Sequence, residues 1–204
     1  MTRSIFLSAS IPDPTRDPAY YSTMDPIAIR DAARALATVV LPHARLFWGG
    51  HPAITPLIRV VAESMGLTGA DRIRLYQSAW FSDELPTDNA AFESYELTPR
   101  RPTQPESEAA MRDQMLAAAK FDAAIFIGGM EGVEVEFKMF RTRHPGAAVY
   151  PIASTGGAAL LIYKREQQRL NLRPELLDDY AYPSLFRRLL NLPATRGAGN
   201  EERD

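Results

Sequence analysis

Two glycine pairs have the type and spacing to bind an anion. Gly49-Gly50 follows the apolar run Leu46-Phe47-Trp48, and Gly128-Gly129 follows Ala123-Ala124-Ile125-Phe126-Ile127. A helical pattern begins after each pair. A helix that starts where a strand ends leaves backbone N–H groups unpaired, and its dipole adds partial positive charge there. Glycine lets a phosphate approach that backbone closely. We read the N–H groups of Gly128, Gly129, Met130, Glu131 and Gly132 as a cradle for one phosphate. Those of Gly49, Gly50 and His51 would hold a second phosphate or a ribose, with fewer donors because Pro52 has no N–H. Ser8 and Ser10, at the end of the first apolar run, can hydrogen-bond a ligand from the middle of a sheet. Thr155 and Gly156 repeat the donor logic further along. The bland alternative is that these are only tight strand-to-helix connections.

The elements that must position these groups alternate along the chain. Apolar runs at 5–9, 45–48, 72–77, 123–127 and 147–152 read as strands. Helical spacing covers 26–40, 54–65, 105–120, 133–143, 157–168 and 183–192. Asp25 is the expected cap of the first helix, with Pro26 at its first position, and Gly66 the expected stop of the second. About five apolar strands alternating with helices imply a parallel sheet covered on both faces, a Rossmann-like three-layer α/β sandwich. We expect one domain over 1–192 and a disordered tail over 193–204. The stretch 78–104 carries prolines, acids and the aromatics Trp80, Phe81, Phe92 and Tyr95; we read it as a flap with a short strand near 93–97.

Composition narrows the function classes. Apolar residues make up 46% of the 204 residues, enough for a sizeable core. The net charge of −2 argues against a nucleic-acid partner, which would call for a basic face. There is no cysteine, so disulfides and thiolate metal sites are excluded, and with three isolated histidines we expect no metal and no required cofactor. No run approaches the ~20 apolar residues of a membrane span. The expectation is a soluble cytoplasmic protein with a small-molecule partner.

The second turn, Gly128-Gly129-Met130-Glu131-Gly132-Val133-Glu134-Val135-Glu136, resembles the Pro-Gly-Gly-x-Gly-Thr-x-x-Glu motif of the Lonely Guy phosphoribohydrolases, within the SLOG superfamily. Ile127 replaces the motif's proline and Val133 its threonine. The turn is one residue longer before the third glycine, which puts Glu136 on the motif's glutamate. Those enzymes carry an Arg-Lys on the preceding helix; here the pattern gives Arg112 followed by Asp113. The first turn, Gly49-Gly50-His51-Pro52-Ala53-Ile54-Thr55-Pro56, together with 5–10, resembles a divergent SLOG cluster associated with prokaryotic conflict systems. Relatives in TRPM channels and Thoeris defence effectors bind ADP-ribose derivatives. The resemblance, over about 4–165, implies a nucleotide or ADP-ribose-like ligand sensed in signalling or antiviral defence, a homodimer or higher homo-oligomer, and a separate effector protein.

The enzymatic alternative is a nucleotide N-glycosidase in which Glu136 orients water or steadies oxocarbenium-like charge and Arg112 anchors phosphate or leaving group. A third reading is an interaction module whose cleft is closed. Among the remaining candidates, Glu134 reads as solvated, His43 and His144 as solvated structural residues at helix ends, Met111 and Met115 as core, and Arg100 and Arg101 as surface charges.

Overall fold

The computed structural model describes residues 2–69, 71–85, 87–93 and 95–193. Along it run β1 (Arg3–Ser10), α1 (Pro18–Tyr21), α2 (Pro26–Val40), β2 (Ala44–Trp48), α3 (Thr55–Ser64) and β3 (Ile73–Ser78). Two 3-10 turns (Ala79–Glu84 and Thr87–Ala91) then lead to β4 (Tyr95–Thr98). The second half holds α4 (Gln104–Ala117), β5 (Ala123–Gly128), α5 (Glu131–Arg143), β6 (Ala148–Ile152), a 3-10 turn (Ala153–Thr155), α6 (Gly157–Glu166), α7 (Glu175–Asp178) and α8 (Tyr182–Leu190).

The strands form one parallel sheet in the order β4-β3-β2-β1-β5-β6. Strands buried on both faces read as continuous apolar runs, which is what Ile5-Phe6-Leu7 and Ala123 to Ile127 are. On one face α2, α3 and α8 pack over Ile5, Leu7, Leu46, Ile125 and Ile127. On the other, α4, α5 and α6 close over Phe6, Phe47, Phe121, Phe126 and Phe140, with Phe6 and Phe140 stacked at 5.5 Å. The three-layer Rossmann-like architecture is therefore as expected, with the flap strand β4 added as a sixth at the edge.

The caps explain the helix starts. Asp25 Oδ1 accepts from the Ile27 and Ala28 amides, and Pro26 follows it. Thr103 and Glu106 close a capping box on α4. α5 begins at Glu131, two residues earlier than the sequence pattern suggests, because the helix follows directly on the glycine turn. α6 ends at Glu166, two residues short of expectation, and the short helices α1 and α7 carry too little periodicity to be read beforehand. Most of the expected tail, 194–204, lies outside the described residues.

β1 sits between β2 and β5, and the chain leaves those two strands toward opposite sides of the sheet. The carboxyl ends of β1 and β5, where Ser10 pairs with Gly128, thus form the topological switch point. Among the described residues, no helix is long and apolar enough to cross a membrane.

Candidate functional site

A cleft of about 530 Å³ opens at this switch point. β1 lays Ser8 and Ser10 on its floor, and the first glycine turn supplies Gly49, Gly50 and His51. α5 supplies Met130, Glu131, Gly132 and Glu136, α4 supplies Arg112 and Glu108, and the flap covers it with Phe81 and Leu85.

Polar atoms in this lining lack partners. Ser8 is 1% exposed and its Oγ makes no hydrogen bond of normal geometry; Trp48, 2% exposed, leaves its Nε1 equally orphaned. Buried donors and acceptors are normally satisfied, so such atoms in a concave site call for a partner from outside the protein. α5 adds to them. Its N-cap, Met130, makes no side-chain cap, which leaves the Glu131 and Gly132 amides without an intrahelical partner. The turn before α5 is sharp. Gly129 has φ of +83°, and a Cβ there would lie 2.2 Å from Val133 Cγ2, so only glycine fits. A Cβ on Gly132 would stand 3.3 Å from an Arg112 guanidinium nitrogen; glycine here lets that side chain lie against the helix start.

The first turn is built differently. The His51 carbonyl accepts from the Ile54 and Thr55 amides, both at 2.9 Å, and His51 Nδ1 accepts from the Ala53 amide at 3.2 Å. The Ala53, Ile54 and Thr55 amides are thereby spent within the turn, and Gly49, Gly50 and His51 are the turn residues that line the cleft. The His51 imidazole is itself partly withdrawn from water at the cleft wall. Burial lowers its pKa, and with Nδ1 accepting, the neutral ring carries its proton on Nε2, a single donor. Gln77 braces the turn through a 2.7 Å bond from its Nε2 to the Gly50 carbonyl.

Arg112 lies between two carboxylates, with Nε 3.3 Å from Glu136 Oε1 and Nη1 3.1 Å from Glu108 Oε2. Burial pushes the Glu136 pKa up. The Arg112 charge pulls against that shift, as does the nearby Ser8 hydroxyl more weakly. At the rim, Arg16 Nη2 pairs with Glu131 Oε2 at 3.2 Å, and the Asp13 amide donates to Met130 Sδ at 3.3 Å.

The structure thus brings Ser8, Ser10, Gly49, Gly50, His51, Met130, Glu131, Gly132, Arg112 and Glu136 to one cleft. Gly128, Gly129, Thr155 and Gly156 lie behind it. The Gly128 amide donates to Thr155 Oγ1 at 2.8 Å, and the Gly129 amide to the Ser10 carbonyl at 2.9 Å. Gly156 is pressed against the Thr23 backbone, where a Cβ would meet the carbonyl oxygen at 1.9 Å. Thr155 and Gly156 therefore brace the α5 turn from beneath; their donor capacity is used inside the fold.

Several site residues escaped the sequence reading. Glu108 stands four residues before Arg112, a spacing that does signal an ion pair on a helix. Gln77 interrupts the apolar face of Ile73 and Leu75, a second available signal. Arg16 lies in an irregular loop with no pattern to mark it. One other assignment changes, and two gain detail. Glu134 is not solvated but accepts from Tyr20 and pairs with Arg165 at 2.7 Å. Arg100 lies over the Trp80 ring at 4.2 Å. His144 Nε2 meets the Leu116 carbonyl at 2.9 Å and its ring packs on Phe121 and Phe140, so it too is structural and not merely solvated.

A family profile described as the SLOG cluster3 family matches residues 19–190. The chain belongs to that family. Among solved structures it is similar to the X-ray structure of TM1055, a Northeast Structural Genomics Consortium target. The two share 15% identity over 80% of this chain and 81% of that one, with a TM-score of 0.54, a likeness of fold alone. No curated protein matches the chain. For a SLOG cluster3 member the coarse functional statement is nucleotide-related ligand binding or Lonely Guy-like activity. The match spans α2 through α8, so it includes both glycine turns, Arg112 and Glu136, while β1 with Ser8 and Ser10 and the loop carrying Arg16 precede it.

Proposed function

We propose that this chain binds a nucleotide or nucleotide-derived ligand of the ADP-ribose class in the switch-point cleft, and that it acts as a sensor. The observation that carries the reading is the meeting, in one cavity, of the uncapped α5 N-terminus with the buried Ser8 hydroxyl, which makes no hydrogen bond of normal geometry. Amides at a helix start suit phosphate. A hydroxyl suits sugar or base atoms. Phe81 and Leu85 add apolar surface on which a base can lie. As a sensor, the chain would act through a second protein, in signalling or defence, as a homo-oligomer.

The second reading is N-glycosidic cleavage of a nucleotide. It is favoured by the Arg112–Glu136 contact, which puts a carboxylate with a raised pKa beside a cation in the cleft. In that reading Glu136 steadies developing charge on the ribose while Arg112 holds the phosphate or leaving group.

One experiment separates the two. Ligand released from gently purified protein is identified by mass spectrometry, while wild-type and Glu136→Ala samples are incubated with nucleoside monophosphates, NAD and ADP-ribose. A retained, intact nucleotide without turnover supports the sensor. Free base released by the wild type but not by Glu136→Ala supports the glycosidase and overturns the sensor.

A further inference from the structure

The pair formed by Arg16 and Glu131 lies on the part of the cleft best suited to an anion, yet half of it is negative. Glu131 is the first helical residue of α5, in the stretch where this turn is one residue longer than the motif it resembles. Its carboxylate already sits in the positive end of the helix dipole, and its partner is Arg16 from the loop after β1, at 3.2 Å. That loop is pinned close by. Asp13 receives the Thr15 amide and hydroxyl at 2.8 and 2.7 Å, and the Asp13 amide itself donates to Met130 Sδ. Arg16 is therefore held over the helix start by its own loop and not by Glu131 alone. Both side chains are about half exposed, at 55% and 47%, so the contact between them is weak and readily traded. The orphaned Ser8 Oγ in the same cleft is an independent sign that this surface awaits a ligand.

We infer that Arg16 and Glu131 are an exchangeable pair that makes the cleft selective for a phosphate-bearing ligand over its dephosphorylated counterpart. The inference rests on the nucleotide-binding reading above. In the empty protein Glu131 occupies Arg16. An arriving phosphate takes the guanidinium from Glu131, forms the stronger bidentate contact that a phosphate allows, and settles on the amides at the start of α5. The Glu131 carboxylate swings into solvent. A neutral nucleoside cannot drive the exchange, since it offers no charge to replace the one Arg16 gives up. Glu131 thus competes with phosphate, and Arg16 recruits it.

The test is calorimetric titration of the full-length wild type, Arg16→Gln and Glu131→Gln with AMP, ADP-ribose and adenosine, at low salt and at roughly 0.5 M NaCl. Both substitutions are at solvent-exposed positions, and thermal melts establish that the variants remain folded. Expected is a loss of about five- to tenfold in AMP and ADP-ribose affinity for Arg16→Gln, and a gain of about threefold for Glu131→Gln at low salt that fades at high salt. Adenosine affinity should move in neither. Equal changes for AMP and adenosine, or no change with Glu131→Gln, would overturn the exchange while leaving nucleotide binding intact. Failure of the wild type to bind any of the three probes removes both the exchange and the nucleotide reading.

Discussion

Arg112 Nε lies 3.3 Å from Glu136 Oε1 and so ties α4 to α5 at the cleft, with both side chains largely withdrawn from water at 15% and 13% exposure. The same guanidinium also holds Glu108 at 3.1 Å. One cation therefore serves two carboxylates, and removing it leaves two partly buried negative charges facing each other.

Arg112→Ala should destabilise the fold by on the order of 2–3 kcal/mol, toward the lower end for an orphaned buried charge because some solvent reaches the site. Arg112→Lys should cost less, since it keeps the charge but loses the planar fork. Urea unfolding measures both, and an unchanged midpoint for Arg112→Ala would show that the contact does not hold the helices together.

Glu136 gives a pH signature. Burial raises its folded-state pKa, so the native protein keeps that proton to higher pH than the unfolded chain does. The stability this provides is present below the unfolded pKa and is lost as pH rises through the folded one. Relative to wild type, Glu136→Gln should therefore gain stability as pH rises above the ordinary glutamate range, and the gain should level off once the folded-state carboxyl has ionised. Denaturant melts across that rise check the sign; a difference that stays flat or shrinks with pH contradicts it.

Two glycines should behave in opposite ways. Gly50 has φ of +64°, and a Cβ there would meet Gln77 Nε2 at 2.0 Å. Gly50→Ala should cost about 2 kcal/mol through strain and the displaced Gln77 bond, visible as a lower melting temperature. Gly132→Ala sits in the first turn of α5, with Arg112 3.3 Å away. Its melting temperature should hold or rise slightly, while ligand affinity falls several-fold because Arg112 must give way. Parallel melts and titrations separate the two; a Gly132→Ala variant that binds normally and melts early reverses the assignment.

Thr155 is fully buried and accepts the Gly128 amide while donating to the Ile152 carbonyl. Thr155→Val would strand that amide, at a cost of about 1–3 kcal/mol. Unfolding free energy should drop, and the affinity of whatever protein remains folded should not. A selective loss of affinity at normal stability would return Thr155 to the ligand.

The sheet, its parallel sense and the α2 cap were legible because they depend on local signals: apolar runs too continuous for a one-sided sheet, and the Asp25-Pro26 start. Arg112 and Glu136 were legible through motif resemblance, at the price of no geometry. The first glycine turn was legible as a piece of the cleft wall through Gly49, Gly50 and His51, but the folding back of the Ala53, Ile54 and Thr55 amides onto His51 is a tertiary detail no spacing encodes. Thr155 and Gly156 misled for a related reason: their partners, Gly128 and Thr23, are distant in sequence. Arg16 left no trace in the sequence, since only the folded 13–17 loop carries it to Glu131.

The most direct test of nucleotide binding at the switch point is calorimetric titration of the wild-type chain with AMP, NAD and ADP-ribose. Saturable one-to-one binding of at least one of them, weakened several-fold when the α5 turn is altered by Gly132→Ala, is the expected result. No heat and no thermal stabilisation with any of the three at millimolar concentration would contradict it.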